Sequence, residues 1–228
     1  MFKAVFFDLD HTLWDFERNA EASLKHLHEI HNLDQHMVNA DDFVTEYSRI
    51  NHAMWKQYDN GEIDKEFLRT QRFIRTFKHF GIPEENIPAN LWDQYLELLP
   101  LRTHVMEGCF EILDYLKPKY PLTIITNGFK EVQHLKMQNS RLSPYFNHVV
   151  ISEFVGYQKP AREIFDHALE LNQCHAREVI MIGDNPEADI QGAKNAGIKS
   201  VFYNPSGQDD PVGADYVITQ LLDLKTIL

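Results

Sequence analysis

The first thirteen residues constrain the fold more than any other part of the chain. A short apolar run, Lys3 to Phe7, ends directly in the sequence Asp8-Leu9-Asp10. Because no polar residue alternates with the apolar ones, the run predicts a strand buried on both faces of a parallel sheet. Two carboxylates at the end of such a strand need a partner, since burying them alone is costly. The pattern therefore predicts a ligand-binding edge of a doubly wound sheet.

The charge and cysteine content argue against several classes of function. Lys plus Arg total 22 and Asp plus Glu total 34, which gives a formal net charge of −12. This balance argues against general nucleic-acid binding, because that needs basic patches. A small anionic substrate stays compatible, since a metal ion and a few local cations set the potential inside a cleft. The two cysteines, Cys109 and Cys174, form no CxxC pair and indicate a reducing compartment.

The apolar segments are too short to direct the chain into or across a membrane. The N-terminal run is shorter than a secretory signal requires, and no stretch approaches the ~20 apolar residues of a membrane span. We therefore expect a cytoplasmic protein with neither a membrane partner nor a nucleic-acid partner. The sequence leaves the oligomeric state open.

Three histidines close together, His26, His28 and His31, raise the question of a zinc site. The spacing of His28 and His31 allows them to share one face of a helix. No cysteine or acidic residue stands where it would complete a tetrahedral site with them. We therefore predict that these histidines lie on a solvated helix surface and bind no metal.

The rest of the chain divides into a helical part and an alternating part. The helical part shows amphipathic patterns with stop signals at Asn60-Gly61 and Gly81. In the alternating part, strands follow helices in turn, which favours an α/β fold with a doubly wound parallel sheet covered on both faces. The predicted strands of this part are Leu122–Ile125, Val149–Ile151, Val179–Ile182, Ser200–Tyr203 and Tyr216–Ile218.

A long insertion follows the first predicted strand. More than a hundred residues separate Asp10 from Leu122, although a right-handed crossover between parallel strands needs only about a dozen. After one crossover helix, about 85 residues remain, which is far too many for a loop. We predict that residues 16–98 form an inserted α-helical cap, and that residues 1–15 and 99–228 form the catalytic core. A lid in this position excludes water and selects the substrate.

Polar groups follow four of the predicted strands, at the edge where doubly wound sheets bind their ligands. A Thr-Asn-Gly turn or a Lys-Pro loop is common by itself, but the four groups in this order and at strand ends form a specific pattern. They are Asp8 and Asp10, Thr126-Asn127-Gly128, Lys159-Pro160, and Gly183-Asp184 followed by Asp189.

The residue types at this edge suit hydrolysis of a phosphate monoester. Asp8 is the predicted nucleophile, which splits the reaction into two steps through an aspartyl-phosphate. Asp10 is the predicted acid for the leaving alkoxide and the predicted base for the attacking water. Mg²⁺ is the predicted cofactor, because it neutralises carboxylate and phosphoryl oxygens. Lys159 adds a second positive charge, and Thr126 with the Asn127-Gly128 turn binds the transferring phosphoryl group.

The same residues resemble the motifs of a known family, over all 228 residues. Asp8 to Thr12, Thr126, Lys159, and Asp184 with Asp189 resemble the four motifs of the haloacid dehalogenase superfamily of phosphohydrolases. The resemblance implies a Rossmann-like core with a helical cap. It also implies that the Asp8 and Asp184 carboxylates and the Asp10 backbone carbonyl bind Mg²⁺. Asp189 is then expected to orient Lys159 or a metal-bound water.

A closer resemblance, to the bacterial pyrimidine 5'-nucleotidases of that superfamily, rests on four short segments. They are Asn51–Trp55, Tyr58–Gly61, Ile124–Phe129 and Ile151–Gly156. The resemblance implies a small phosphorylated metabolite as partner, namely a nucleoside 5'-monophosphate. Asn185 stands where a Ser or Thr often follows the metal-binding acid, and Tyr157-Gln158 stands where smaller or aliphatic residues are common. Neither departure removes a catalytic group.

Other functions remain open on the sequence. A sugar-phosphate or phosphoglycolate-type phosphatase, or a phosphomutase, would have the same core residues, whereas a true dehalogenase does not need an acid at position 10. A phospho-accepting signalling module is shorter and has no role for the insertion, and four intact motifs disfavour a catalytically silent binding protein. Aromatic residues in helices are more often core than ligand contacts. The candidates for a base-sized pocket are nevertheless Trp14, Phe16, Asn19, Trp55 and Tyr58.

Overall fold

A six-stranded parallel sheet forms the centre of the computed structural model, which describes residues 1–36, 38–207 and 213–228. The strand order is β3-β2-β1-β4-β5-β6, and each neighbouring pair is parallel. The order runs in opposite directions from the middle of the sheet, so the predicted doubly wound α/β fold is confirmed. The strands are β1 (Ala4–Phe7), β2 (Leu122–Thr126), β3 (His148–Ile151), β4 (Val179–Gly183), β5 (Lys199–Tyr203) and β6 (Tyr216–Ile218).

The first strand of the chain, β1, lies in the middle of the sheet. Val5 pairs with Leu122 of β2 on one side and with Ile180 of β4 on the other. All four residues of β1 are fully buried, as its unbroken apolar run predicts for a strand covered on both faces. The carboxyl end of β1 therefore borders the switch point of the sheet, where doubly wound folds bind their ligands.

Helices fill most of the long connection between β1 and β2. The chain divides into two compact units, a helical unit of Glu17–Arg102 and a core unit of Met1–Phe16 with Thr103–Leu228. Within its described residues, 17–36 and 38–102, the helical unit contains no strand. That this unit selects the substrate stays a prediction. The helices of this region are α1 (Phe16–Ile30), α2 (Ala40–Asp59), α3 (Lys65–His79) and α4 (Leu91–Leu98).

Further helices cover the sheet of the core unit. One apolar cluster joins Phe6, Ile125 and Met181 of three strands to Phe165 and Ala193 of two helices. None of the helices in the described ranges combines the length and the apolar composition of a membrane span. The helices of the core unit are α5 (Cys109–Leu116), α6 (Lys130–Asn139), α7 (Ser152–Val155), α8 (Arg162–Asn172) and α9 (Gly192–Asn195), and a helical turn over Pro186–Gln191 precedes α9.

His28 lies in the interior of the helical unit, so the predicted surface position is wrong for this histidine. Its side chain is 4% exposed, and its Nε2 atom lies 2.8 Å from the carbonyl oxygen of Val38. This contact gives one nitrogen of the buried ring a polar partner. His26 is exposed, as predicted. Among the residues that the structure describes, no group of three metal-binding side chains includes His26, His28 or His31.

The guanidinium of Arg72 lies among aromatic rings in the helical unit. Its central carbon is 5.2 Å from the ring centre of Tyr95 and 5.8 Å from those of Tyr47 and Phe73, which is within the range of cation–π attraction. Arg72 Nη1 donates a hydrogen bond of 3.0 Å to Asn51 Oδ1. Arg72 is only 2% exposed, so ring faces and one amide hold this buried cation.

Candidate active site

Asp8 and Asp10 lie just beyond the carboxyl end of β1. The backbone N–H of Asp8 donates a hydrogen bond of 2.9 Å to the carbonyl oxygen of Ile182, so Asp8 continues the pairing of β1 with β4. The side chain of Asp8 is buried. His11 has a φ of 64°, which is the left-handed conformation. The chain therefore turns directly after the second carboxylate, and both acids stay at the edge of the sheet.

Lys159 links two of the predicted acidic residues. Its Nζ lies 2.5 Å from Asp8 Oδ1 and 2.5 Å from Asp189 Oδ1, and the residue is 2% exposed. The side chain of Asn127 holds the backbone of this lysine, because its Nδ2 donates to the Lys159 carbonyl oxygen and its Oδ1 accepts from the Lys159 N–H, both at 2.9 Å. The phosphoryl-binding role predicted for Asn127 therefore concerns its backbone N–H.

Three carboxylates gather around this lysine. One oxygen from each of Asp8, Asp184 and Asp189 lies within 4.8 Å of the others. Thr12 Oγ1 donates a hydrogen bond of 2.8 Å to Asp184 Oδ1. A Cβ atom on Gly183 would come within 2.2 Å of an Asp189 carboxylate oxygen. The glycine at the end of β4 therefore leaves the space in which Asp189 reaches back toward Lys159.

Burial and mutual repulsion disturb the ionisation of these acids. Burial raises the pKa of Asp8 well above its ordinary value, and the charges of Asp189 and Asp184 add to the increase while Lys159 opposes it. Burial also raises the pKa of Asp184 to about 6, against the opposing effects of His11 and of the Thr12 hydrogen bond. Three carboxyl groups thus share the single ammonium group of Lys159, and burial disfavours the charged forms of Asp8 and Asp184.

The ammonium group of Lys159 stays charged in this setting. Burial alone lowers the pKa of Lys159, but the charges of Asp189 and Asp8 and their hydrogen bonds outweigh burial, so the net pKa lies above its ordinary value. A permanent positive charge at the centre of the site is suited to holding an anionic substrate group beside Asp8.

The donor set fits a hard divalent cation. Carboxylate oxygens are the ligands that Mg²⁺ prefers in proteins, and the excess of carboxylates over ammonium groups leaves negative charge for a cation to balance. Burial is the largest cause of the raised pKa values of Asp8 and Asp184, and the charge of Asp189 adds to both. Asp189 is already engaged, because its Oδ2 also accepts a hydrogen bond of 3.0 Å from the Asn185 N–H. Asp8 and Asp184 are the side chains that the sequence analysis expects to hold Mg²⁺, and their carboxylates suit that role.

Two residues of α6 contact Asp10, and the sequence analysis did not predict either of them. Lys136 Nζ lies 2.7 Å from Asp10 Oδ1, and Gln133 Nε2 donates a hydrogen bond of 2.9 Å to Asp10 Oδ2. Their spacing of three residues places them on one face of a helix that begins shortly after β2. That spacing, together with the position of the helix behind the Thr126 turn, is the signal that the sequence offers for finding them.

The hydroxyl group of Thr126 accepts two hydrogen bonds. Gln133 Nε2 donates to Thr126 Oγ1 over 2.7 Å, and the backbone N–H of Gly128 donates over 3.1 Å. Because a hydroxyl has two lone pairs and one hydrogen, both acceptor positions are filled and the hydrogen is left for donation. A Cβ atom on Gly128 would come within 2.2 Å of Gln133 Nε2. Gly128 therefore makes space for Gln133, which is a role that the sequence analysis did not assign to it.

The candidate residues for a base-sized pocket differ in accessibility. Trp14, Phe16, Asn19 and Tyr58 are buried, while Trp55 is partly exposed. The rings of Trp55 and Tyr58 meet edge to face with their centres 5.5 Å apart. Trp55 is therefore the residue of this group whose side chain has surface left to offer a ligand.

This fold, with acidic residues at the end of a buried parallel strand, is that of a known class of hydrolases. The model of the haloacid dehalogenase-like hydrolases matches residues 2–197, and the chain belongs to this family. It is similar to the pyrimidine 5'-nucleotidase PynA of Streptococcus pneumoniae, with 34% identity over 229 residues that cover 97% of this chain and 94% of the relative. It is also similar to the glyceraldehyde 3-phosphate phosphatase of Pyrococcus furiosus, with 32% identity over 232 residues that cover 99% and 92%.

A solved structure extends the comparison to the whole fold. The HAD-hydrolase YfnB of Bacillus subtilis, crystallised with bound magnesium, superposes with a TM-score of 0.89 at 29% sequence identity. The match covers 100% of this chain and 98% of YfnB. The fold of the entire chain, helical unit included, is therefore one that this family uses.

Proposed function

We propose that this protein is a Mg²⁺-dependent phosphomonoester hydrolase that acts through an aspartyl-phosphate on Asp8, with nucleoside 5'-monophosphates as its best substrates. The observation that carries the proposal is the position of Lys159, buried between Asp8 and Asp189 beside Asp184. A permanent cation next to a candidate nucleophile suits attack on a phosphoryl group, because it balances charge that would otherwise repel a carboxylate.

In the first step, a carboxylate oxygen of Asp8 forms a bond to phosphorus while the bond from phosphorus to the alcohol oxygen breaks. A proton from Asp10 passes to that oxygen, so that the alcohol leaves neutral. In the second step, a water oxygen forms a bond to phosphorus and the bond to Asp8 breaks. Asp10 takes a proton from this water, which restores both acids to their starting states.

The other residues position the phosphoryl group and balance its charge. The hydroxyl hydrogen of Thr126, left for donation by the two hydrogen bonds that its oxygen accepts, is suited to a phosphoryl oxygen. Asp189 holds the ammonium group of Lys159 toward Asp8. Mg²⁺ would be held by the Asp8 and Asp184 carboxylates, with the Asp10 backbone carbonyl implied by the family motif, and it would neutralise charge on the phosphoryl oxygens.

The nucleotide preference rests on similarity and on the helical unit. PynA, a relative of 34% identity over nearly the whole chain, is a pyrimidine 5'-nucleotidase, and Trp55 offers an aromatic surface suited to a base. A sugar-phosphate phosphatase is the second candidate, because the glyceraldehyde 3-phosphate phosphatase is nearly as similar, at 32% identity. The two candidates share the chemistry at Asp8 and differ in the group that leaves.

The experiment that tests the chemistry compares Asp8→Asn with the unsubstituted protein on p-nitrophenyl phosphate, with Mg²⁺ and with EDTA. We expect the variant, and the unsubstituted protein in EDTA, to lose essentially all activity, because asparagine neither attacks phosphorus nor holds the metal. Asp166→Asn, a change at the surface pair between Asp166 and Arg162, is the matched control and should stay fully active. Activity of Asp8→Asn within tenfold of the control would refute the role of Asp8.

A panel of phosphate esters tests the substrate class. It contains pyrimidine and purine nucleoside 5'-monophosphates in ribose and deoxyribose forms, together with triose, pentose and hexose phosphates. We expect the highest kcat/KM for a deoxypyrimidine nucleotide. A sugar phosphate turned over about a hundredfold better than every nucleotide would exclude the nucleotidase and leave the phosphatase chemistry in place.

A further inference from the structure

We infer that Lys136 and Gln133 of α6 are positioning residues for Asp10, and that they hold its carboxylate in the orientation needed for proton transfer to the leaving group. The inference rests on the role proposed above for Asp10. Lys136 Nζ contacts Oδ1 at 2.7 Å and Gln133 Nε2 contacts Oδ2 at 2.9 Å. Because each oxygen has its own donor on the same helix, the two contacts fix both the position of the carboxylate and its rotation.

The environment of Lys136 shows that its ammonium group is directed at Asp10. The residue is 3% exposed, and its Nζ lies 4.4 Å from the ring centre of Trp14 and 5.4 Å from that of Phe16. These ring faces attract the cation and keep water away from one side of it. Burying an ion pair adds little net stability, since desolvation offsets the attraction. The contacts of Lys136 instead fix the orientation of the Asp10 carboxylate.

Gln133 connects Asp10 to the group that is proposed to bind phosphate. Its Nε2 donates to Asp10 Oδ2 and also, over 2.7 Å, to Thr126 Oγ1. One amide therefore sets the distance between the proton donor of the first step and a hydroxyl at the phosphoryl group. The fully buried side chain of Gln133 has room for this because Gly128 lacks a Cβ atom. Proton transfer is sensitive to such distances, and a displacement of about 1 Å costs on the order of 100-fold in rate.

The dependence of the rate on the leaving group separates this role from a merely structural one. An alkoxide needs a proton in order to leave, whereas p-nitrophenolate leaves readily without one. The ratio kcat/KM reports the steps up to departure of the leaving group, so a misplaced Asp10 should lower it for alkyl esters far more than for p-nitrophenyl phosphate. A change that only loosens the fold, weakens Mg²⁺ binding or displaces Asp8 lowers both values together.

The experiment measures both kcat/KM values for Lys136→Met, with Lys130→Met as control. Lys130 begins the same helix, and its ammonium group lies over the ring of Phe154. For Lys136→Met we expect a loss of about 100-fold on the best alkyl ester of the substrate panel and less than about fivefold on p-nitrophenyl phosphate. Lys136→Arg, which keeps the charge, should recover most of the alkyl activity. The control should change neither value.

Slower hydrolysis of the aspartyl-phosphate in the second step can be measured independently. With p-nitrophenyl phosphate, Lys136→Met should release a rapid burst of p-nitrophenol equal to the amount of enzyme, followed by a slower steady rate, because departure stays fast while attack by water slows. The amplitude of the burst counts the aspartyl-phosphate that accumulates.

Equal losses on the two esters, or no loss on either, would overturn the inference. If Lys136→Met does not fold, Gln133→Met decides with the same ratio, because it removes the donor to Oδ2 and leaves the buried ion pair intact. Asp8→Asn separates this outcome from failure of the proposed function. An active Asp8→Asn protein refutes the aspartyl-phosphate mechanism, whereas an inactive one with equal losses in the Lys136 variant refutes only the positioning role.

Discussion

Two buried cations, one in each compact unit, are held in opposite ways. Lys159 of the core unit and Arg72 of the helical unit are both 2% exposed. Lys159 lies between two carboxylates, those of Asp8 and Asp189, with a third nearby. Arg72 lies among three aromatic rings and has one hydrogen bond, to Asn51. The first cation is therefore paired with carboxylates, whereas the second lies against aromatic rings and a neutral amide.

The two cations differ in the pKa values of the groups around them. Around Arg72, burial raises the pKa of Tyr47 to about 12 and raises that of Tyr95 well above its ordinary value, so both phenols stay neutral and the cluster keeps a constant charge. Around Lys159, burial raises the pKa of Asp184 to about 6 and raises that of Asp8 well above its ordinary value. A cluster of constant charge suits a packed interior, whereas an unbalanced one suits the binding of a metal and a phosphate.

Lys159→Met should have the largest effect. The change leaves Asp8 and Asp189 facing each other without a cation, and we expect a loss of about 3–5 kcal/mol in the free energy of unfolding. Activity on p-nitrophenyl phosphate should fall at least about 100-fold, because charge stabilisation at the phosphoryl group is lost. Urea unfolding and steady-state rates provide the two measurements, with the exposed Lys194→Met as control. A variant more stable than the parent protein would show that Asp8 and Asp189 do not need the charge of Lys159 in order to be buried.

Arg72→Met should have a smaller effect on stability. The change removes three ring contacts and one hydrogen bond but leaves no unpaired charge, and two nitrogens of Arg72, Nε and Nη2, have no hydrogen-bond partner in the described part of the chain. We expect a loss of about 1–2 kcal/mol in the free energy of unfolding. Urea unfolding at equal protein concentrations measures it. A loss greater than that of Lys159→Met would reverse the ranking of the two cations.

Asp184→Asn should change how stability depends on pH in metal-free protein. The pKa of Asp184 is raised to about 6 in the folded state, above the unfolded value near 4. The folded state therefore binds the proton more tightly, and this group destabilises the fold as pH rises from about 4 to about 6, by about 3 kcal/mol. We expect Asp184→Asn to be more stable than the parent at pH 7 in EDTA. Melting curves with added Mg²⁺ should show stabilisation of the parent only, and equal stabilisation of the variant would count against the metal site.

The smallest effect is expected for Glu178→Gln, which disrupts an ion pair between a lysine and a glutamate at the surface. Lys3 Nζ lies 2.7 Å from Glu178 Oε1, and the hydrogen bond to this lysine lowers the pKa of Glu178 to about 2. Because the folded pKa is lowered, the pair stabilises the fold above about pH 4.5 and loses that effect as the pH falls toward 2. Melting temperatures at pH 7 should fall only slightly and should depend on salt. A change as large as that of Arg72→Met would show that exposure does not weaken such pairs here.

The sequence predicts the sheet and the residues at its edge better than it predicts their neighbours on helices. A continuous apolar run such as β1 is typical of a central strand that is covered on both faces of a parallel sheet. Because the carboxyl ends of such strands meet at one edge, Asp8, Thr126 and Asp184 are predicted to lie there together. The roles of these residues remain predictions. Lys136 escapes such reasoning because a lysine in a helix is usually exposed. Its burial depends on the rings of Trp14 and Phe16, which are more than a hundred residues away along the chain.

His28 shows the same limit at shorter range. The spacing of His26, His28 and His31 describes a helix face but does not say which chain segment covers that face. In the structure His26 is exposed, whereas His28 Nε2 lies 2.8 Å from the carbonyl oxygen of Val38. Local periodicity therefore gives the faces of a helix, and the tertiary contacts decide which face is interior.

The central position of β1 has a consequence for biosynthesis. β1 is translated before the other five strands of the sheet, yet Val5 pairs with Leu122 on one side and with Ile180 on the other. At roughly 5–20 residues per second, its second partner leaves the ribosome about 10–35 seconds later. During that interval the complete segment Glu17–Arg102 is synthesised, while β1 lacks its β4 neighbour. The nascent chain thus carries an incompletely paired apolar strand until β4 has been made, and such a strand is prone to aggregation and suited to binding by a chaperone.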